Sequence, residues 1–327
     1  MNNHSLPVIP AAFFGIVLGI AGLGNAWRIA HRVWGAPALI GEFILLLASL
    51  IWLILLILYV GKWIYQLEVA KAELRHPIQC CFVGLIGVTT MLIAGAALPY
   101  SRSSADVLFI AGMLYTILFA AWRTGGLWEG GREIKCTTAV LYLPTVAGFF
   151  VTANGAAAMG YAAWGQLAFG AGLFSWLSLE SVLINRLFVA DALPTLLRPT
   201  LGIQLAPPTV GALSYLNLTS GVPDFFSDAL IGYGLLQCLV LIRLLPWIRA
   251  QPFTPSYWGF SFGVASLGAA PIRMIERGDH GPISMLAPYL FIAANIVILL
   301  LAIATLKLLF SGLFHRKIPA HGSSPAS

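Results

Sequence analysis

The 44 residues from Cys136 to Leu179, CTTAVLYLPTVAGFFVTANGAAAMGYAAWGQLAFGAGLFSWLSL, contain no Asp, Glu, Lys or Arg. Across all 327 residues, 9% are charged and 59% are hydrophobic. A soluble domain has about a quarter of its residues charged, so most of this surface must face something other than water. The composition predicts an all-α polytopic membrane protein, because a helix satisfies its own backbone hydrogen bonds within the bilayer.

Ten apolar stretches are long enough to cross a bilayer, since a crossing takes roughly 20 apolar residues. We predict spans at Pro10–Trp27, Phe43–Lys62, Ile78–Tyr100, Val107–Trp122, Thr138–Ala158, Ala163–Glu180, Leu201–Ser220, Phe225–Pro246, Trp258–Ile275 and Ser284–Phe310. They form one transmembrane domain over residues 10–311, between an N-terminal tail (1–9) and a polar tail (312–327) that we expect to be disordered.

The positive charges orient these spans. With the N-terminus in the cytoplasm, thirteen of the 18 Lys and Arg residues fall in cytoplasmic segments and five fall outside. The outside residues are Arg28, Arg32, Arg102, Arg273 and Arg277. This bias favours an even number of spans with both tails in the cytoplasm. The same charges are scattered rather than clustered, which argues against nucleic-acid binding.

The odd-numbered spans carry Gly or Pro near their middles, whereas even spans such as Ile44–Leu58 and Ile296–Leu309 are rich in Leu and Ile. Gly lets membrane helices pack closely. Backbone groups freed by Pro are tolerated where protein buries them or where they line a wet cavity. The contrast predicts a helical hairpin repeated five times, with the odd helices inside and the even helices outside.

The middles of the odd spans carry no ionisable residue, and the six histidines lie in tails or loops. The four cysteines form no C-x-x-C pair. We therefore expect no enzymatic activity, no metal and no cofactor. Glu42 and Glu180 fall at predicted span ends, where an interfacial ion pair or a helix-end charge is the favoured interpretation.

The ninth span contains a large ring on a face of small residues. The neighbours of Phe262 at three and four residues are Trp258, Gly259, Ala265 and Ser266. Such a ring can plug a narrow passage, and it can also fill the groove of a neighbouring helix. The spacing alone leaves both interpretations open.

Short motifs run in a constant order through residues 6–310. They include FGIVLG (14–19), ELRHP (73–77), TTML (89–92), YLPTVA (142–147), GIQLAP (202–207) and the stretch Phe260–Ala265. In these motifs the chain resembles the TehA family of bacterial tellurite-resistance proteins, the tellurite-resistance/dicarboxylate transporter family, which has homologues in the slow anion channels of plant guard cells.

This resemblance implies a homotrimer in a bacterial inner (plasma) membrane, with a pore in each protomer. It implies ten helices as five hairpins in a quasi-fivefold arrangement, with the odd helices lining a central pore. It also makes Phe262 the gate that occludes this pore. The candidate pore-lining residues are Phe14, Gly15, Leu18, Gly87, Met91, Pro144, Phe149, Pro207, Gly211, Gly263 and Ser266.

Two positions depart from the family pattern. The family often has Pro where this chain has Gly87, so the third helix would kink less. Relatives carry Asn near the position of Gly148 and Phe149, so an additional ring at Phe149 could narrow the pore.

The predicted function is an anion channel for small monovalent inorganic anions, associated with tellurite resistance. The alternative is a secondary carrier that exports tellurite or C4-dicarboxylates. The absence of acidic residues within the odd spans argues against proton coupling. A third possibility is a membrane-embedded scaffold, which predicts no anion flux at all.

Overall fold

The computed structural model describes residues 9–311 and, within that range, contains twelve α-helices and no strand. The helices are α1 (Phe14–Trp34), α2 (Ala38–Tyr65), α3 (Leu67–Arg75), α4 (Cys80–Val83), α5 (Leu85–Ala97), α6 (Arg102–Trp128), α7 (Gly148–Ala158), α8 (Ala162–Val189), α9 (Ala206–Leu218), α10 (Phe225–Ile248), α11 (Ser261–Glu276) and α12 (Pro282–Phe310). Apart from Ile9, the two predicted tails, residues 1–9 and 312–327, lie outside the described residues.

Irregular helical turns precede four of these helices. Tight 3₁₀ turns lead into α1 (Ala11–Phe13), α9 (Thr195–Leu205) and α11 (Pro255–Phe260), and a wide π turn (Leu143–Ala147) leads into α7. A proline occupies one of the first two positions of the π turn, of α9 and of the turn before α11. Proline lacks a backbone N–H, which a first helical turn does not need. The prolines therefore mark where these helices begin.

Eight helical segments are long and apolar enough to cross a membrane, judged by length and composition. They overlap eight of the ten predicted spans. The predicted seventh and ninth spans, Leu201–Ser220 and Trp258–Ile275, fall on α9 and α11 with their preceding turns. These two segments are helical but less apolar. The count of ten transmembrane helices stays a prediction.

Burial divides the long helices into two classes. The apolar stretches that contain α1, α5 and α7 are 61%, 78% and 78% buried, whereas those of α2, α6, α8, α10 and α12 are 22–33% buried. Most residues of α9 and α11 are also buried. We call α1, α5, α7, α9 and α11 the inner helices and the other five the outer helices. This division agrees with the predicted contrast between odd and even spans.

The helices pack in sequence order. Each inner helix contacts the outer helix that follows it, in the pairs α1–α2, α5–α6, α7–α8, α9–α10 and α11–α12. The inner helices also contact one another in order, from α1 through α5, α7 and α9 to α11, and α11 contacts α1. The contacts between inner helices thus form a closed ring.

The two acidic residues at predicted span ends have different outcomes. Glu42 forms the expected ion pair, with its Oε2 atom 2.7 Å from Nη2 of Arg28. The predicted end of the sixth span at Glu180 is wrong, because α8 continues to Val189. The carboxylate of Glu180 accepts hydrogen bonds from neighbouring helices, so it does not need to lie at a helix end.

Candidate functional site

A small cavity lies where the five inner segments converge. Its volume is about 40 Å³, and one water needs roughly 10–15 Å³. It is lined by Ala12, Gly15, Leu18, Phe82, Leu85, Tyr142, Leu143, Val146, Ala147, Phe150, Ile203, Ala206, Pro207, Val210, Pro255, Ser256, Trp258, Gly259 and Phe262. No lining residue is charged. Every inner segment therefore contributes to one uncharged cavity.

The lining residues occur at helical spacing. Leu143, Val146, Ala147 and Phe150 stand at positions i, i+3, i+4 and i+7, and residues 203, 206, 207 and 210 repeat the pattern. Such positions share one face of a helix. All of them lie in the first turns of an inner helix or in the segment just before it. The positive ends of the helix dipoles therefore gather at this cavity.

Phe262 is the last residue of α11 to line the cavity. Its side chain is 7% exposed, and its ring faces α1 at Gly22, where an added Cβ would lie 3.4 Å from Cδ2 of the ring. One turn earlier, Trp258 also lines the cavity and donates a hydrogen bond of 2.9 Å from Nε1 to Oγ1 of Thr305. The structure thus places the predicted gate residue in the cavity wall. Its role as a gate stays a prediction.

The other pore-lining candidates divide into two groups. Gly15, Leu18 and Pro207 line the cavity beside Phe262. The other eight lie outside its wall. Those that contact the surrounding helices are Phe14, Gly87, Met91, Phe149, Gly211 and Gly263, and those buried elsewhere are Pro144 and Ser266. Their assignment to the pore stays a prediction.

The contacts of these residues explain their positions. The ring of Phe14 packs edge-on against Tyr59, with centroids 6.0 Å apart. A Cβ at Gly87 would lie 2.8 Å from the carbonyl oxygen of Gly112, so this glycine allows α5 and α6 to approach closely. The sulfur of Met91 accepts a hydrogen bond from Thr152 at 3.4 Å.

Two further candidates face other neighbours. The carbonyl oxygen of Gly263 accepts a hydrogen bond of 3.2 Å from Oγ1 of Thr209, which joins α11 to α9. Phe149 lines an apolar groove beside α6 and α8 instead of the cavity.

Phe150 was missed by the sequence reasoning, which selected its neighbour Phe149. Phe150 is fully buried, lines the cavity and packs its ring where Gly211 and Gly172 leave room. The signal for it was the i, i+3, i+4, i+7 series that begins at Leu143. Two aromatic rings, those of Phe150 and Phe262, therefore stand at the last lining positions of their helices.

A carboxylate lies behind the cavity wall. Glu180 on α8 accepts hydrogen bonds from the hydroxyls of Tyr142 and Tyr233, from Nε1 of Trp176 at 3.1 Å and from Nε2 of Gln237 at 3.3 Å. Within residues 9–311 it takes part in no ion pair. Tyr142 itself lines the cavity. The carboxylate is thus balanced by neutral donors and fixes one part of the wall.

Arginines bind the C-terminal ends of the inner helices, which are the ends away from the cavity. Arg28 donates to the carbonyl oxygens of Gly95 and Ala96 near the end of α5, both at 3.0 Å. Arg102 donates to Met159 after α7 at 2.7 Å, and Arg277 donates to Leu216 near the end of α9 at 2.9 Å. Cations at helix C-termini offset the negative end of the dipole. These arginines are three of the five that the sequence placed outside.

The remaining two arginines of that group meet on one carboxylate. Arg32 of α1 and Arg273 of α11 both form ion pairs with Glu276 at the end of α11. All five arginines therefore bind at the ends where the inner helices finish. Within residues 9–311, no group of three or more His, Cys, Asp or Glu residues is placed to hold a metal ion.

One known protein family matches nearly the whole chain. Residues 9–306 match the family model described as SLAC1: Voltage-dependent anion channel. The chain is 34% identical over 310 residues to a tellurite resistance protein TehA homolog of Haemophilus influenzae, covering 94% of this chain and 93% of that protein. It is also 24% identical to an uncharacterized transporter of Methanocaldococcus jannaschii, covering 68% of this chain and 70% of that protein.

The guard cell S-type anion channel SLAC1 of Arabidopsis thaliana is a more distant relative. It is 24% identical over 311 residues, covering 91% of this chain. The chain spans about half, 55%, of that protein's length. The match over nearly all of the chain shows that this multi-pass membrane protein belongs to the SLAC1 family of anion channels and transporters.

Proposed function

We propose that this protein is an anion channel in which small monovalent anions move along the axis that the inner helices enclose, with Phe262 closing the path. The observation that carries the proposal is the cavity that all five inner segments line, with Phe262 at its last position on α11. A channel needs a passage across the membrane, and this cavity is lined by all five inner segments, whose helices form a closed ring.

The electrostatics of the cavity suit a conducted anion. An anion in hydrocarbon costs on the order of tens of kcal/mol by Born estimates, and here the positive ends of five helix dipoles offset part of that cost. No lining side chain is charged, so an anion is not held tightly and can leave, as conduction requires. Selection then follows the cost of dehydration, which favours nitrate over chloride.

The same proposal extends to the assembly and its orientation. The closed ring of contacts supports ten membrane helices arranged as five hairpins with quasi-fivefold symmetry. We propose a homotrimer in a bacterial inner membrane, with one pore in each protomer and both tails in the cytoplasm. The transmembrane domain then covers residues 10–311, and the cavity lies towards the cytoplasmic ends of the inner helices.

A secondary carrier for tellurite or C4-dicarboxylates is the second candidate. Glu180 favours it, because coupled carriers place acidic groups within the membrane and this carboxylate bonds to Tyr142 of the cavity wall. The relative from Haemophilus influenzae is itself named for tellurite resistance. A carrier would show saturating flux that depends on a proton gradient, whereas a channel would not.

Single-channel and anion-replacement currents of the purified protein in planar bilayers test the proposal. Phe262→Ala should raise anion current at least severalfold, because it removes the ring at the last lining position. Phe149→Ala is the matched control, since this ring also lies on an inner helix but faces the outer groove. Equal currents in the parent and Phe262→Ala, at equal incorporation, would exclude the gate. Saturating, proton-dependent flux in all three proteins would exclude the channel.

A further inference from the structure

A deep apolar cleft separates α10 from α12, with α11 as its floor. Its volume is about 610 Å³. Its walls are formed by apolar residues of α10, such as Leu241 and Leu245, and of α12, such as Ala293 and Val297. On α12 alone the wall runs from Leu290 to Ala304, which is roughly 21 Å at 1.5 Å per residue. One leaflet of hydrocarbon is about 15 Å thick, so the cleft can hold an acyl chain along its length.

The cleft has polar residues at one end only. Arg249 follows the last residue of α10, and Gln251 comes two residues later; both line the cleft. The amide nitrogen and oxygen of Gln251 are both buried and have no hydrogen-bond partner. Buried amide groups almost always have partners, and leaving one unpaired costs on the order of 1–3 kcal/mol. These two atoms have no exposed surface, so the amide closes this end of the cleft from inside, and Arg249 is the exposed polar group there.

Positive charge accompanies the unpaired amide. Arg249 takes part in no ion pair within residues 9–311, and neither does Lys307. Lys307 lies three residues beyond Ala304 on α12 and so on the same side of that helix. Because α10 ends at Ile248, Arg249 lies at the level where a crossing helix leaves the hydrocarbon. An unpaired arginine at that depth meets lipid phosphates.

We propose that this cleft binds an anionic phospholipid. One acyl chain fills the groove between α10 and α12, and the guanidinium of Arg249 binds the phosphate. Arginine recognises phosphate through paired N–H donors. The floor of the groove includes Phe260, and Phe262, two residues later, lines the cavity. A bound lipid therefore also stabilises the segment that carries Phe262.

Native mass spectrometry of the detergent-solubilised full chain tests this site with two defined lipids, phosphatidylglycerol and phosphatidylcholine. The parent should retain phosphatidylglycerol at severalfold higher occupancy. Arg249→Gln should abolish that preference. Arg243→Gln is the matched control, because Arg243 is an exposed cation on α10 that does not line the cleft. Ala293→Trp should reduce retention of both lipids by filling the groove while keeping the charge.

Three results would overturn the site. The first is an equal loss of phosphatidylglycerol in Arg243→Gln and Arg249→Gln, which would mean attraction to surface charge in general. The second is disulfide formation between chains in Ala293→Cys, which would mean that a second copy of this protein covers the cleft. Thermal unfolding of each variant without added lipid confirms that it is folded. In addition, the comparison of the two lipids on the parent needs no variant, and equal retention there also contradicts the proposal.

Discussion

Phe262 of α11 and Gly22 of α1 face each other where these two helices pack together. A Cβ atom at Gly22 would lie 3.4 Å from Cδ2 of Phe262 and 2.9 Å from Cβ of Ala265. The first distance is tight and the second is too short for two carbon atoms in contact. The absence of a side chain at residue 22 therefore allows α1 and α11 to meet, and it leaves room for the ring that lines the cavity.

Replacing Gly22 with Ala should destabilise the fold by about 1–3 kcal/mol, as overpacking of a well-packed interior does. The midpoint of thermal unfolding in detergent measures this. Ala265→Gly in the same chain removes the clashing methyl group and should restore most of the loss. Ala265→Gly alone serves as the control for the intrinsic cost of glycine in a helix, about 1 kcal/mol. A double variant no more stable than Gly22→Ala would contradict the clash.

Phe150→Ala should increase anion current and also lower stability. The ring is fully buried and lines the cavity, so its removal widens the cavity and leaves unfilled space that costs about 3–5 kcal/mol. Phe149→Ala, one residue earlier, should change the current little because that side chain faces the outer groove. Planar-bilayer currents and unfolding midpoints for the two variants decide this. The prediction fails if the Phe149 variant has the larger current.

Glu180→Gln should lower stability more than Tyr233→Phe does. The carboxylate accepts four hydrogen bonds, and an amide offers only one acceptor oxygen in their place. A hydrogen bond to a charged group contributes about 1.5–3 kcal/mol, whereas Tyr233→Phe removes only one donor and leaves three. Thermal unfolding of both variants gives the comparison, with Tyr142→Phe testing the donor on the cavity wall. The opposite order would mean that Glu180 holds little of the wall in place.

Lys62→Met should destabilise the protein by about 3–5 kcal/mol, because it leaves a buried carboxylate without its cation. The Nζ atom of Lys62 lies 2.5 Å from Oε2 of Glu73, with the two side chains 2% and 7% exposed. Lys62 also donates to the carbonyl oxygen of Ile9, and Glu73 accepts from the amide of Ala11, so the pair anchors the start of α1.

The double variant Lys62→Met with Glu73→Gln separates charge from shape. It removes both charges, and the amide oxygen of Gln can still accept from Ala11. Its unfolding midpoint should therefore lie above that of Lys62→Met alone. If the two midpoints coincide, the uncompensated charge is not the cause of the loss.

The sequence by itself determined that a lipid bilayer surrounds this protein and that its helices are of two kinds. A run such as Cys136–Leu179 cannot cover a soluble surface, and the contrast between Gly- and Pro-containing spans and Leu-rich spans follows burial in the structure. The spacing made Phe262 a candidate with two open interpretations, and the family resemblance carried by the ordered motifs made it the predicted gate.

Only the tertiary structure decided which side of each inner helix faces the cavity. An inner helix is apolar all round, since protein surrounds it, so its sequence has no polar face to orient it. That is why the sequence offered no reason to name Phe150, which lines the cavity, beside Phe149, which lines the groove next to α6 and α8, and why the contact of Gly87 with α6 was not foreseen. Glu180 shows the same limit. Its partners Tyr142 and Tyr233 lie 38 and 53 residues away along the chain, and only the tertiary structure brings their hydroxyls to one carboxylate.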